Sequence, residues 1–259
     1  MFRTRRRDDV GVPNFNVAVY HTYAESIPPG YIAPVINPDG YEYSHSSTNP
    51  DVRLWRKNRS PMVCTFNACC QGVDLNRNFD FHWGGEGSSA DPCSEIYQGT
   101  SPFSEPESRA VRDFVLAQRG QIKSFITMHS YSQIWMYPYG HARGSYPPDV
   151  NDLQRVAIQA RDALGSLYGT QYTVGTGADT LYPASGGADD WAKTGGNVKY
   201  AYLIELRPSD DVWDGFMLNE AQIVPTARET FEGIKVVATN IITEYGRAVP
   251  VTPVAQSER

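Results

Sequence analysis

Apolar residues recur at helical spacing in long stretches of the chain, and short, densely apolar runs lie between them. Over 149–168, Val150, Leu153, Val156, Ala157, Ala160, Leu164 and Leu167 share one side of a helix, and Gly169 follows as a stop. Over 222–245 the same period turns Ile223, Ala227, Phe231, Ile234, Val237, Ala238, Ile241 and Ile242 inward. A further helix is predicted from Ser104: Ser104 and Glu107 make a capping box, Ala110, Val111, Phe114 and Val115 share a face, and Gly120 ends it. The runs between these helices read as strands. They are Tyr31–Asn37, closed by the turn signal Asn37-Pro38-Asp39-Gly40, then Ile122–Met128, 133–137, Gln171–Gly175 and Lys199–Leu206. Residues 14–20 fit either a strand or the inner turns of a short helix. Residues 44–103 are rich in Ser, Asn, Asp, Gly and Pro, and so much irregular chain points to function or to disulfide support. Strands alternating with long helices predict a single α/β domain with its site at strand ends.

Composition narrows the classes of partner. Apolar residues make up 41% and charged residues 20%, and the net charge is −6, which disfavours nucleic acid and anionic membrane surfaces. No run of 18 apolar residues predicts a bilayer span. The basic stretch from Met1 to Arg7 is not followed by an apolar segment, so it does not read as a signal peptide. The four cysteines, Cys64, Cys69, Cys70 and Cys93, show no Cys-x-x-Cys spacing, so local disulfides and an oxidising compartment are expected.

Several residues carry candidate chemistry. Asn76 and Arg77 put an amide beside a guanidinium fork, a donor set that matches a carboxylate. His129 ends one predicted strand. Glu205 ends another after the apolar run Tyr200–Ile204, where a carboxylate needs a partner or a metal, or becomes a base of raised pKa. A salt bridge to Arg207 is the plainer alternative. Arg53, Arg56, Lys57 and Arg59 form either a solvated basic loop or an oxyanion-stabilising group. Tyr182 opens a stretch of small residues that allows movement over a ligand. Asp189 and Asp190 fit a pocket floor or the cap of a helix starting at Trp191. No Gly-x-Ser-x-Gly elbow and no phosphate-binding glycine motif occurs.

The order of these pieces resembles the zinc metallocarboxypeptidases of the pancreatic A/B type. The motifs are Asn37–Tyr41, Arg53–Arg59, Gly72–Asp80, His129–Ser132, Tyr182–Trp191 and Ile204–Arg207, spread from about Tyr31 to Gly246. The resemblance implies a mixed central sheet flanked by helices, lacking its first strands, over 31–246. An atypical segment, 1–30, precedes this domain and a tail, 247–259, follows it. It implies removal of C-terminal residues from peptides, one zinc ion, secretion and a monomer. His129 would be a zinc ligand, Glu205 the base and Arg56 the oxyanion stabiliser. Asn76 and Arg77 would hold the terminal carboxylate, Tyr182 would close over it, and Ser130 and Tyr131 would contact substrate. Asp189 would sit where an acid goes with terminal Lys or Arg, and Gly177 and Gly187 would line the pocket. It also pairs Cys70 with Cys93, leaving Cys64 and Cys69 as a second pair.

One part of the family pattern is missing. The family binds zinc with His₂Glu, two of these from a His-x-x-Glu motif well before the Asn-Pro-Asp-Gly turn. That motif is absent here, and His21 and Glu25 have a different spacing. The chain reads as shortened at its N-terminus, with weak zinc binding and little activity expected. The alternative is a non-catalytic module that grips peptide C-termini.

Overall fold

The structure is a computed structural model and describes residues 16–21, 30–66, 68–212 and 215–246. Its elements in chain order are β1 (Asn16–His21), β2 (Gly30–Ala33), α1 (Pro38–Ser44), α2 (Pro50–Arg53), β3 (Val63–Cys64), β4 (Cys69–Cys70) and a 3₁₀ turn (Leu75–Arg77). Then come α3 (Pro106–Ala117), β5 (Ile122–Ser132), β6 (Ile134–Tyr137), α4 (Val150–Tyr168), β7 (Thr173–Thr176) and α5 (Gly177–Thr180). The chain continues with α6 (Ala188–Thr194), β8 (Tyr200–Ser209), a second 3₁₀ turn (Glu220–Gln222) and α7 (Ile223–Tyr245). Most of the expected segment 1–30 and all of the tail 247–259 lie outside the described residues. Among the described residues, no helix is long and apolar enough to cross a membrane.

Among the described residues, six strands form one mixed sheet in the order β2-β1-β5-β8-β6-β7. The β5–β8 and β6–β7 pairs are parallel, whereas β1–β2, β1–β5 and β6–β8 are antiparallel. Strand side chains alternate between faces, and the two central strands show what this does. Ile126, Tyr200, Tyr202 and Ile204 enter a core with Leu153, Val156, Ala160, Leu164, Val237 and Ile241 of α4 and α7. Phe125 and Ala201 point the other way, into a core with Val111 and Val115 of α3 and Trp191 of α6. The sheet is therefore covered by helices on both faces. Odd-numbered positions of β5 and β8 share the α3/α6 side, and the candidate residues His129 and Glu205 belong to that series.

Three sequence expectations are corrected. Asn37-Pro-Asp-Gly opens α1 instead of making a turn: Asn37 is the N-cap, its Oδ1 accepting from the Gly40 amide at 3.0 Å, and Pro38 takes the first helical position. α3 starts at Pro106 rather than Ser104, because Ser104 Oγ is taken by Asn78 and Glu105 and leaves no capping bond. The buried stripe of α7 is Thr226, Glu229, Thr230, Gly233, Ile234, Val237 and Ile241, while Ile223, Phe231 and Ile242 are exposed. Gly233 causes part of this rotation, since a Cβ there would lie 2.7 Å from the Trp135 ring and 3.0 Å from the Ala160 carbonyl. Glu229 causes the rest, by pairing with Arg207.

The irregular stretch before α3 is held by buried polar bonds and by two disulfides, Cys64–Cys69 and Cys70–Cys93. Asn58 Nδ2 donates to Glu105 Oε2 at 2.7 Å and Asn78 Nδ2 to the Gln98 carbonyl at 2.9 Å, so the loop folds on its own interior. The Cys70–Cys93 bridge spans 23 residues. Replacing both cysteines by Ser is expected to cost about 3 kcal/mol in the chain-entropy account, read as a lower denaturant midpoint. An unchanged midpoint would show that the loop is ordered without it.

Candidate active site

His129 and Glu205 are Cα partners across the parallel β5–β8 pair. Both side chains are half-buried and line a cavity of about 340 Å³, together with Arg56, Asn76, Arg77, Ser130, Tyr131, Tyr182 and Asp189. The residues to which the family resemblance assigns catalytic, substrate and metal roles thus line one cavity. Burial, reinforced by the Arg56 charge, pushes the His129 imidazole down to about 3, so the ring stays neutral at physiological pH. Its Nε2 lies 2.9 Å from Thr127 Oγ1. Burial pushes the Glu205 carboxyl up to about 8 against the opposing effect of Arg56. Glu205 Oε2 is buried and has no hydrogen-bond partner among the described residues. The salt bridge to Arg207 does not form: Arg207 Nε donates to Glu229 Oε1 at 2.6 Å and Nη1 to Gln222 Oε1 at 2.5 Å.

The basic cluster divides its work. Arg56 Nη2 lies 2.9 Å from Asp74 Oδ2, an ion pair without the alignment of a hydrogen bond, and the Asp74 charge holds the guanidinium pKa above its ordinary value. Lys57 is buried and donates to the Pro92 carbonyl at 2.8 Å, while Arg59 lies 3.6 Å over the Tyr43 ring. Only Arg56 of this group faces the cavity. Asp74 was not singled out from sequence, although its place just before the 3₁₀ turn was a legible cap signal. Its Oδ1 accepts from the Asn76 amide at 3.1 Å and so links the Asn76–Arg77 turn to Arg56.

Asn76 and Arg77 are oriented by their own bonds. Asn76 Oδ1 accepts from the Ala188 amide at 3.0 Å, which leaves the NH₂ group as the free end. Arg77 Nε donates to the Gly87 carbonyl at 2.6 Å and Nη1 to the Asn76 carbonyl at 2.8 Å. The Tyr182 loop docks against this turn at Gly186, where φ is +75° and a Cβ would lie 2.3 Å from the Arg77 carbonyl. Tyr182 itself is exposed at the rim.

Asp189 and Asp190 lie in the first turn of α6, which begins at Ala188 with Gly187 as its N-cap, not at Trp191. Both are buried. Both oxygens of Asp190 accept from the Gly140 amide, at 3.0 and 2.9 Å. Asp189 has no ion pair with a cation among the described residues. Burial, and next the neighbouring Asp190, push its carboxyl up to about 7. Gly140, Gly177 and Gly187 keep the walls around this end of the cavity narrow in side chain.

The described residues do not make up a His₂Glu metal set. The chain has five histidines. His129 lines the cavity, His45 bonds the Tyr41 carbonyl at 2.8 Å, and His82 and His141 stack on each other. The His21 backbone pairs with Ile122, at the opposite end of β1 from the Asn16–Met128 pair, roughly 20 Å from His129 along the strand. It lies on a strand and not on the helix face that its spacing to Glu25 allowed, and Glu25 lies outside the described residues. No group of three or more His, Cys, Asp or Glu placed to hold a metal occurs among the described residues.

Comparison with known proteins agrees with this architecture. The zinc carboxypeptidase family pattern matches residues 30–233. Carboxypeptidase B of Astacus astacus is 50% identical over 215 residues, 83% of this chain and 68% of that protein. A zinc carboxypeptidase of Simulium vittatum is 46% identical over 79% of this chain and 64% of that protein, so the chain spans less than two thirds of this relative. The structure of bovine thrombin-activatable fibrinolysis inhibitor, in complex with tick carboxypeptidase inhibitor, superposes with a TM-score of 0.76 at 42% identity, covering 83% of this chain and 70% of that one. The sheet order, the pocket and these similarities together show that the chain belongs to the zinc carboxypeptidase family.

Proposed function

We propose that the pocket receives the C-terminal residue of a peptide and prefers Lys or Arg. The observation that carries this reading is the convergence, in one cavity, of a carboxylate clamp with a buried acid that has no cation partner. The free amide of Asn76 and the Arg77 guanidinium grip the terminal carboxylate as charge-assisted hydrogen-bond donors. The terminal side chain runs to Asp189, where a cation replaces the solvation that the buried carboxylate has lost. Tyr182 closes over the bound residue, and Ser130 and Tyr131 contact the substrate from the cavity wall. The two disulfides support an extracellular setting. A peptide ending in Arg should bind, and the same peptide with an amidated C-terminus should bind far more weakly. Equal binding of the two would remove the clamp from this reading.

The family's peptide hydrolysis needs two further roles. Glu205, with its Oε2 buried and its pKa raised, is the base for water and the donor to the leaving amine. Arg56 is the donor to the developing oxyanion. Zinc supplies the Lewis acidity of this family, and with His129 as one ligand this chain holds zinc weakly and turns over little. Metal analysis after dialysis, run beside hydrolysis of an Arg-ended peptide, is expected to give substoichiometric zinc and low turnover. Stoichiometric zinc, with turnover abolished by His129→Ala, would establish a further ligand set and overturn this expectation.

A further inference from the structure

The cavity has two ends, and β8 runs between them. Leu203, Glu205 and Asp210 all line it. Strand β6 is antiparallel to β8, with Ile134 opposite Glu205 and Met136 opposite Leu203, so the end of β6 leads back along β8, away from Asp210. Gly140 follows that end, and its amide is held by Asp190, the neighbour of Asp189. The clamp lies at the same end, because Asn76 Oδ1 accepts from the Ala188 amide beside Asp189. Asp189 and the clamp therefore occupy the Leu203 side of Glu205. Asp210 occupies the other side, just past the end of β8 at Ser209. Ser209 is four positions beyond Glu205, about 13 Å along a strand that rises about 3.3 Å per residue.

The outer end is walled by β5 and by the chain after β8. Ser132 of β5 is the Cα partner of Ser209 and lines the cavity with Asp210. Tyr131 packs edge-on against Phe216, with ring centroids 5.0 Å apart. The chain lies close on that tyrosine at Gly215, where a Cβ would be 2.1 Å from the ring. Arg53 Nη2 donates to the Phe216 carbonyl at 3.5 Å and ties this wall to α2. Of the two adjacent acids, Asp211 is engaged by the Ser209 hydroxyl and does not line the cavity. Asp210 is exposed and lines it, with no ion pair or side-chain hydrogen bond among the described residues. The charges that act on Glu205 are Arg56 and Asp189, so Asp210 stands apart from the reacting carboxyl.

We propose that Asp210 is a specificity-determining residue that selects Lys or Arg upstream of the C-terminal residue. This rests on the proposed clamp. With the terminal residue held at Asn76, Arg77 and Asp189, and the peptide bond at Glu205, the rest of an extended peptide leaves the cavity on the Asp210 side. At about 3.4 Å per residue, less the reach of a long side chain, Asp210 meets a side chain about two or three residues before the terminal one. The cavity then reads two basic residues, one at each end. The two ends differ in strength. Asp189 is buried and its cation replaces lost solvation, whereas an ion pair at exposed Asp210 is weak and screened by salt.

Calorimetry on peptide binding tests this without turnover. The ligands are Ala-based hexapeptides ending in Arg or in Phe, each without Lys or with a single Lys at the second, third or fourth position from the C-terminus. In the wild type, Lys at the third or fourth position should tighten binding about two- to fivefold at low salt, more than at the second, and the gain should shrink at high salt. Asp210→Asn should lose this gain in both series and bind the Lys-free peptides as the wild type does. Asp211→Asn removes the same charge one residue away and should keep the gain. No gain at the third or fourth position, a gain that survives Asp210→Asn, or one lost equally in Asp211→Asn would overturn the proposal. An upstream gain in both series without any preference for terminal Arg over Phe would sink the Asp189 reading and leave this inference standing. Equal binding of C-terminally amidated peptides would remove the clamp, and this inference with it.

Discussion

Asp189→Ala will weaken binding of an Arg-ended peptide by about 2–3 kcal/mol, or roughly 30- to 150-fold, and will not weaken binding of a Phe-ended one. A cation 4 Å from a carboxylate gains about 4 kcal/mol at an effective dielectric near 20, and desolvation of both groups takes back part of it. A terminal Phe instead leaves the buried carboxylate without a partner, so removing the acid relieves a penalty. The pH dependence follows from the same group. With the pocket empty, burial and Asp190 push the Asp189 carboxyl up to about 7, and the basic ligand binds its ionised form. Affinity for the Arg peptide should therefore fall about tenfold per pH unit below 7 and level off above it, with one proton released on binding in the acidic range. Calorimetry in buffers of different ionisation enthalpy reads that proton directly. In Asp189→Ala the slope should vanish. A wild type that binds the Phe peptide more tightly would end the assignment.

The largest stability effect should come from Glu229→Ala. Glu229 is fully buried in α7 and receives Arg207 Nε at 2.6 Å and Thr170 Oγ1 at 2.6 Å, with Arg207 Nη2 in closer contact still. Truncation leaves the Arg207 guanidinium, 15% exposed, without its counter-charge. Breaking a buried pair from one side costs about 3–5 kcal/mol. For a domain of this size that corresponds to a melting temperature lower by about 10 °C. Glu229→Gln keeps an acceptor for Arg207 and should lose less. If Glu229→Ala melts with the wild type, the pair is not what ties α7 to β8.

The sequence by itself determined which residues could be helix, strand and site. The period of α4, the strands that carry His129 and Glu205 and the Asn76–Arg77 turn were legible, since each is a local pattern, whereas the cysteine pairing came from the family resemblance. Tertiary structure decided everything that depends on competition between distant partners. Arg207 chose Glu229 over Glu205, which left Glu205 facing the pocket and turned α7 onto a stripe that its hydrophobic period does not show. Asn78 took the Ser104 hydroxyl and moved the start of α3. Asp74 joined Arg56 to the clamp turn, and Asp210 came to line one cavity with Asp189, across separations in sequence that no window spans. Local patterns are set by backbone geometry and by the alternation of side chains along a strand or helix. A buried charge is satisfied by whichever partner the fold brings within reach, and that choice exists only once the chain has closed on itself.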